Sequence, residues 1–252
     1  MVGRGIARIQ ILGVGIDDVD TETALDIIDG FIRTRKPRIV VTADSSGIVL
    51  AHKDPELMEI MNSADLVTPD SFGILWAARR QGTPLKERVS GIDMVNLLCE
   101  RGAQSGYRIF LLGAAPGVAD AAAENLRRQH PGLNIVGTHH GFFRDEDNPG
   151  VVEQVRSRKP DILFVALGIP KQEKWIARHK EELEVPVSMG VGGSLDVIAG
   201  KVPRAPKWMQ DHGLEWAFRL YSNPRKIGKV LTLPRFVYMV LRSGKRRVRR
   251  AV

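Results

Sequence analysis

The chain reads as an α/β protein, with a Rossmann-like, mostly parallel sheet flanked by helices and a basic helical C-terminal appendage. Three observations predict this. Short apolar runs of strand length alternate with stretches that carry apolar residues at helical spacing. Three of the runs end in glycine-bearing segments placed directly ahead of a helical pattern, as the carboxyl ends of parallel strands do. Charge is unevenly divided: residues 204–252 hold 13 Lys/Arg against 2 Asp/Glu, a net +11, while residues 1–203 hold 24 against 27, a net −3. The expected division is therefore an α/β domain over 1–203 and an appendage over 204–252.

With 252 residues, 43% of them hydrophobic, the chain can bury a full core in one large domain. The +11 segment suggests a polyanionic partner, either anionic lipid or nucleic acid. Cys99 is the single cysteine, so no internal disulfide is expected, and its apolar neighbours Val95, Leu97 and Leu98 suggest a buried helix position in a reducing cytoplasm. Met1–Arg8 has no apolar core of signal-peptide length, and no run of about 18 apolar residues is present to span a bilayer.

Taken in order, Ile9-Gln10-Ile11-Leu12-Gly13-Val14 predicts a first strand, and Ala24, Leu25, Ile27, Ile28, Phe31 and Ile32 a helical stripe behind Asp20-Thr21. Gly13-Val14-Gly15 lacks the third glycine of a dinucleotide fingerprint, since Asp18 stands there. Asp18-Val19-Asp20 matches an Asp-x-Asp metal pattern but precedes a helix, whose positive end favours acidic residues. Arg38–Thr42 reads as the second strand, ending in Thr42-Ala43-Asp44-Ser45-Ser46, where hydroxyl and carboxylate suit either a sugar contact or a helix cap. Pro55 opens a helix whose Met58 and Met61 read as core. The run Leu66-Val67-Thr68 then closes in Pro69-Asp70 before a helix carrying Ile74, Leu75 and Ala78. Asp70 is thus at a strand's carboxyl end, fitted either to cap that helix or to act on a ligand.

Thr83–Gly91 is too rich in Pro, Gly and charge for a core element, which makes it a candidate binding loop with Arg88 as a phosphate or sugar contact. After a helix from Ile92 to Ala103, the strand Arg108–Leu112 runs into Gly113-Ala114-Ala115-Pro116-Gly117. Asp161–Leu167 likewise ends in Gly168, and Val187–Val191 in Gly192-Gly193-Ser194-Leu195-Asp196. Glycines at such junctions let backbone N–H groups approach phosphate, so Gly113, Gly117, Gly168, Gly192 and Gly193 are candidate nucleotide contacts. Leu133–Thr138 is a further strand. His139 and His140 lack a third ligand at useful spacing and read as loop, as does the acidic turn Asp145–Asp147, so no metal is expected.

The segments LLGAAPGVADAAAENL, NIVGTHHGFF, PDILFVALGIPKQEKWI, GVGGSLDVIAGKVPRAPKWM and GLEWAFRLYSNP resemble the WecG/TagA/CpsF family of bacterial glycosyltransferases, over nearly all of residues 9–225. The resemblance implies transfer of a sugar, N-acetylmannosamine-type, its uronic acid or a hexose, from UDP to an undecaprenyl-diphosphate-linked acceptor. It implies inversion at the anomeric carbon, no metal and no cofactor, in synthesis of teichoic acid, enterobacterial common antigen, capsule or exopolysaccharide. Asp70 in TPDS matches the family's catalytic base, with Ser71 where the motif usually has Gly. Thr42 matches a substrate-contacting Thr, and Asp44 stands where Asn is usual, which bears on the donor because Asn donates hydrogen bonds and an ionised Asp only accepts. Arg88, Gln172 and Asp196 match positions around the active site.

In the tail, Trp208, Leu214, Trp216, Phe218, Leu220 and Tyr221 interleave with basic residues, and an apolar stretch from Val230 to Leu241 precedes Lys245, Arg246, Arg247, Arg249 and Arg250. This composition suits a peripheral anchor on an anionic membrane, here the inner face of the plasma membrane. Arg204 and Arg219 are the candidates in this segment for completing the substrate site. Two other function classes compete. A nicotinamide oxidoreductase would need the glycine fingerprint that is missing, and a nucleic-acid-binding protein would account for the tail but not for three glycine-rich strand ends in an acidic body. The expected partners are therefore a UDP-sugar, a polyprenyl-diphosphate-linked acceptor and a membrane surface, without nucleic acid, and a homo-oligomer stays open.

Overall fold

The computed structural model describes residues 5–222 and 232–243. The first strand expected from the continuous apolar run is instead a two-stranded antiparallel hairpin, β1 (Arg8–Ile11) and β2 (Val14–Asp17), separate from the main sheet. Leu12 and Gly13 form its two-residue turn with φ of 49° and 83°. Positive φ at both central positions matches the twist of the flanking strands, and the leucine adopting it breaks the strand that its hydrophobicity predicts. Asp17 locks the hairpin: its carboxylate pairs with Arg8 at 2.7 Å and accepts the Val67 N–H at 2.7 Å.

The main sheet has six parallel strands, β3 (Arg38–Ala43), β4 (Leu66–Pro69), β5 (Arg108–Gly113), β6 (Asn134–His139), β7 (Ile162–Ala166) and β8 (Val187–Gly190), in the order β4-β3-β8-β7-β5-β6. Helices cover both faces, so the central strands are apolar on both sides: β7, for example, is buried at every residue. On one face lie α2 (Ser45–Ala51), α3 (Pro55–Ser63), α4 (Phe72–Arg80), α7 (Asn148–Ser157) and α8 (Lys171–Leu183), against Val41, Phe110, Leu112, Leu163 and Val165. The opposite face carries α1 (Thr21–Thr34), α5 (Gly91–Ser105), α6 (Val118–Gln129) and α9 (Ser194–Ile198), against Val40, Leu66, Ile109, Leu111 and Phe164. Asp20 caps α1 by accepting the Thr23 N–H at 2.8 Å, which is the role its position ahead of a helix suggests. Burial of Cys99 in α5 pushes its thiol pKa up to about 12, leaving it a packing residue.

The chain from β5 goes to α6 on one face, whereas the chain from the adjacent β7 goes to α8 on the other; β8 and β3 diverge in the same way through α9 and α2. Such divergence opens a crevice at the carboxyl edge of a parallel sheet. Beyond β8 the chain forms α10 (Lys207–Asp211) and α11 (Glu215–Ser222), and then α12 (Thr232–Arg242). Phe236 and Val240 of α12 are 1% and 2% exposed and join the core beside α2 and α4, while Val237, Tyr238 and Leu241 face outward. No described helix is long and apolar enough to cross a membrane. The basic cluster Lys245–Arg250 lies outside the described residues.

Candidate active site

Asp70 is the first residue beyond β4, and its N–H donates to Ala43 O at 2.8 Å, holding the ends of β3 and β4 level. The carboxylate is half-buried, and its Oδ1 accepts the N–H of Gly91, the first residue of α5, at 3.1 Å. It therefore sits at the amino end of a 15-residue helix, where aligned peptide dipoles favour negative charge. Thr42 stands against the same residue: a Cβ added to Gly91 would lie 3.3 Å from Thr42 Oγ1. That hydroxyl donates to Gly190 O at 3.0 Å, carrying the cluster from β3 across to β8.

Arg88 joins through the loop before α5. The Val89 N–H donates to Pro69 O at 2.9 Å, which lays this loop along the end of β4. The Arg88 guanidinium stacks on Phe72 at 5.1 Å, and its Nη1 lies 2.5 Å from Glu215 Oε2 in α11, both side chains being 15% exposed. Asp44 caps α2 by accepting the Gly47 N–H at 2.6 Å. Next to it, Ser71 Oγ accepts the Ser45 N–H at 3.2 Å and meets the Ser45 hydroxyl at 3.0 Å. Asp44 and Ser71 thus lie together, joining the start of α2 to the turn after Asp70.

The other half of the edge is built from backbone. Gln172, 4% exposed, accepts through one oxygen the N–H groups of Gly168 at 3.1 Å and Gly192 at 3.0 Å, and donates to Glu173 at 2.8 Å. It braces the loops after β7 and β8 to each other. Gly113 has φ of 125°, and a Cβ there would lie 2.5 Å from the backbone carbonyl of Ala166, so glycine is what permits β5 and β7 to close up at this point. Gly117 precedes α6, and Gly193 precedes α9, which carries half-buried Asp196. An open cleft of about 460 Å³ adjoins the end of β6, lined by His139, His140, Phe142 and Gln154 among others.

Arg204 Nη2 lies 2.7 and 2.8 Å from the two carboxylate oxygens of Asp93, in the first turn of α5. Arg219 belongs to α11, and its side chain lies outside the described residues. Asp18 accepts the Lys86 N–H, and Asp147 the Arg144 N–H; among the described residues no group of three or more His, Cys, Asp or Glu could hold a metal ion. Sequence reasoning did not single out Gly91, Asp93 or Glu215, because each acts through a partner distant in the chain, 127 positions away for Glu215.

A family model described as "Glycosyl transferase WecG/TagA/CpsF family" matches residues 9–250. Two Staphylococcus aureus proteins, from strains MW2 and NCTC 8325 / PS 47, are each 32% identical over 247 residues, covering 97% of this chain and 96% of theirs. Both are named N-acetylglucosaminyldiphosphoundecaprenol N-acetyl-beta-D-mannosaminyltransferase. This chain belongs to the WecG/TagA/CpsF family of glycosyl transferases.

Proposed function

We propose that the protein transfers a hexose-type sugar, with N-acetylmannosamine the first candidate, from a UDP-sugar to a sugar carried on undecaprenyl diphosphate, with inversion and without a metal. The observation that carries this reading is the Asp70 carboxylate, held at a strand end on the amino terminus of α5 and flanked by the loop that bears Arg88. The names of the S. aureus relatives support both the mannosaminyl group and the lipid-linked acceptor.

In this reading Asp70 takes the proton of the acceptor hydroxyl as its oxygen attacks the anomeric carbon and the bond to UDP breaks. Displacement from the face opposite the leaving diphosphate inverts that carbon. Negative charge grows on the diphosphate, for which Arg88 and the backbone N–H groups of the Gly113–Gly117, Gly168 and Gly192–Gly193 segments are the stabilising donors. Thr42 and Asp44 border the sugar, and Asp196 and Arg204 its outer margin, with Gln172 holding the nucleotide loops in register. The appendage, 204–252, holds the enzyme on the cytoplasmic face of the membrane through its basic residues and the outward side chains of α12. For an acceptor confined to the bilayer, that attachment raises effective concentration without altering the site.

The test is a panel of UDP-sugars assayed against a synthetic polyprenyl-diphosphate-linked N-acetylglucosamine, with and without excess chelator. Transfer from UDP-N-acetylmannosamine that persists in chelator is expected. Turnover that vanishes in chelator and returns with magnesium or manganese would overturn the metal-independent mechanism, and the absence of transfer from every UDP-sugar would overturn the donor class.

A further inference from the structure

We infer that Glu215 is a positioning residue that aims Arg88 at the donor diphosphate; this rests on the functional reading above and extends it to a residue of the C-terminal segment. Two ion pairs join that segment to the short stretch 88–93. Glu215 meets Arg88 at one end, and Arg204 meets Asp93 at the other, with the signs of charge reversed between them. Gly91, whose N–H holds Asp70, lies between the two clasped residues. The C-terminal segment therefore grips the stretch of chain whose Gly91 holds Asp70 and whose Arg88 carries the guanidinium assigned to the diphosphate.

The Arg88 contact has the geometry of an aiming device. An arginine side chain has several rotatable bonds, and ordering it costs conformational entropy when nothing else restrains it. Here the guanidinium is restrained from two directions, by the face of Phe72 at 5.1 Å and by Glu215 at 2.5 Å from Nη1. Phe72 is itself backed by the chain just ahead of Glu215, since a Cβ on Gly213 would lie 2.9 Å from its ring. Arginine offers five N–H donors, and the contact with Glu215 uses Nη1, so the fork retains donors for an anion. At 15% exposure the pair is shielded from solvent enough to hold one geometry.

Glu215 also offsets part of the charge that Arg88 presents to a diphosphate, so two opposite effects are possible and the variants separate them. If aiming dominates, Glu215→Ala raises both the KM for the UDP-sugar and the Kd for UDP by about tenfold, the loss typical of a misplaced binding group. Glu215→Gln then recovers most of that loss, because its amide oxygen still accepts from Nη1. If neutralisation dominates, both variants bind UDP more tightly than the unaltered protein, which overturns the inference. The exchange R88E/E215R provides the structural control. It re-forms the pair with its charges transposed and is expected to restore the thermal midpoint while leaving UDP binding and turnover lost. Full recovery of turnover in the exchange would show that the pair merely fastens α11 to the body, and values within twofold of the unaltered protein for Glu215→Ala would equally overturn the inference. An unaltered protein that neither binds UDP nor transfers a sugar from it would fail the functional reading itself, in an arm read before any variant, and this inference would fall with it.

Discussion

The two halves of the sheet's carboxyl edge are built from different materials. At β3 and β4 the groups that converge are side chains: Thr42, Asp70 and Arg88, each fixed by a partner from another element. At β5, β7 and β8 they are stretches of backbone, shaped by Gly113, Gly168 and Gly192, the last two tied to each other by the buried Gln172. The difference suits the proposed reaction, which has two needs. A proton must be moved by one group of defined basicity, which only a side chain supplies, whereas a diphosphate is well held by several N–H groups that need no side chain.

Variants can break this contrast, and the largest effect is expected on the side-chain half. Asp70→Asn removes the proposed base while retaining the size of the side chain, and turnover should fall by about two to four orders of magnitude with UDP binding unchanged. Measuring kcat beside calorimetric UDP binding checks it, and near-normal turnover would return Asp70 to the role of a helix cap. Asp44, the neighbouring carboxylate, should be tested in the double variant for its ability to substitute.

On the backbone half the expected loss is of structure. Gly113→Ala must place a Cβ against the Ala166 carbonyl at a φ that disfavours every other residue, at a cost of about 2 kcal/mol or more. A thermal midpoint lowered by about 5 °C would match that figure for a chain of this length. An unchanged midpoint would mean that β5 and β7 can separate here without loss.

Gln172→Leu sharpens the comparison further, because it removes the brace and leaves the fold's apolar contacts in place. The N–H groups of Gly168 and Gly192 lose their acceptor, about 1–3 kcal/mol each when no water replaces it. The expected signature is a donor KM raised several-fold with a smaller change in kcat. A pure loss of kcat would place Gln172 with the side-chain half instead.

The smallest effect on stability is expected outside both halves. Val237→Glu with Leu241→Glu changes only outward residues of α12, so the midpoint should move by about 0.5 kcal/mol or less per site. Sedimentation with anionic vesicles should nonetheless fall, as should activity on long-chain acceptors relative to a short soluble one. Equal vesicle binding by this variant would show that α12 is not the anchor. These substitutions are cleaner than truncation, since removing α12 would also uncover the core that Phe236 and Val240 fill.

Much of the fold was legible because parallel strands buried on both faces must be apolar throughout, and the runs ending near Thr42, Leu112, Leu167 and Val191 each proved to be a strand of the main sheet. The run Ile9–Val14 misled for the same reason: its apolar residues continue through a turn made by Leu12, a residue type that gives no local sign of positive φ. Of the candidate site, the strand-end positions of Asp70 and the glycine junctions were visible in the sequence. Their partners were not.

The alternation of apolar periods determined the α/β architecture, and the uneven charge marked the C-terminal segment, because both properties are carried by consecutive residues. Tertiary structure alone decided that Gly91 would hold Asp70, that Gln172 would lie beneath two loops, and that Glu215 would reach Arg88. The physical reason is one of range. Backbone preference and amphipathic period act within a few residues, whereas an ion pair or a hydrogen bond between elements forms only after the packed core has brought distant segments to within 3 Å or so of each other.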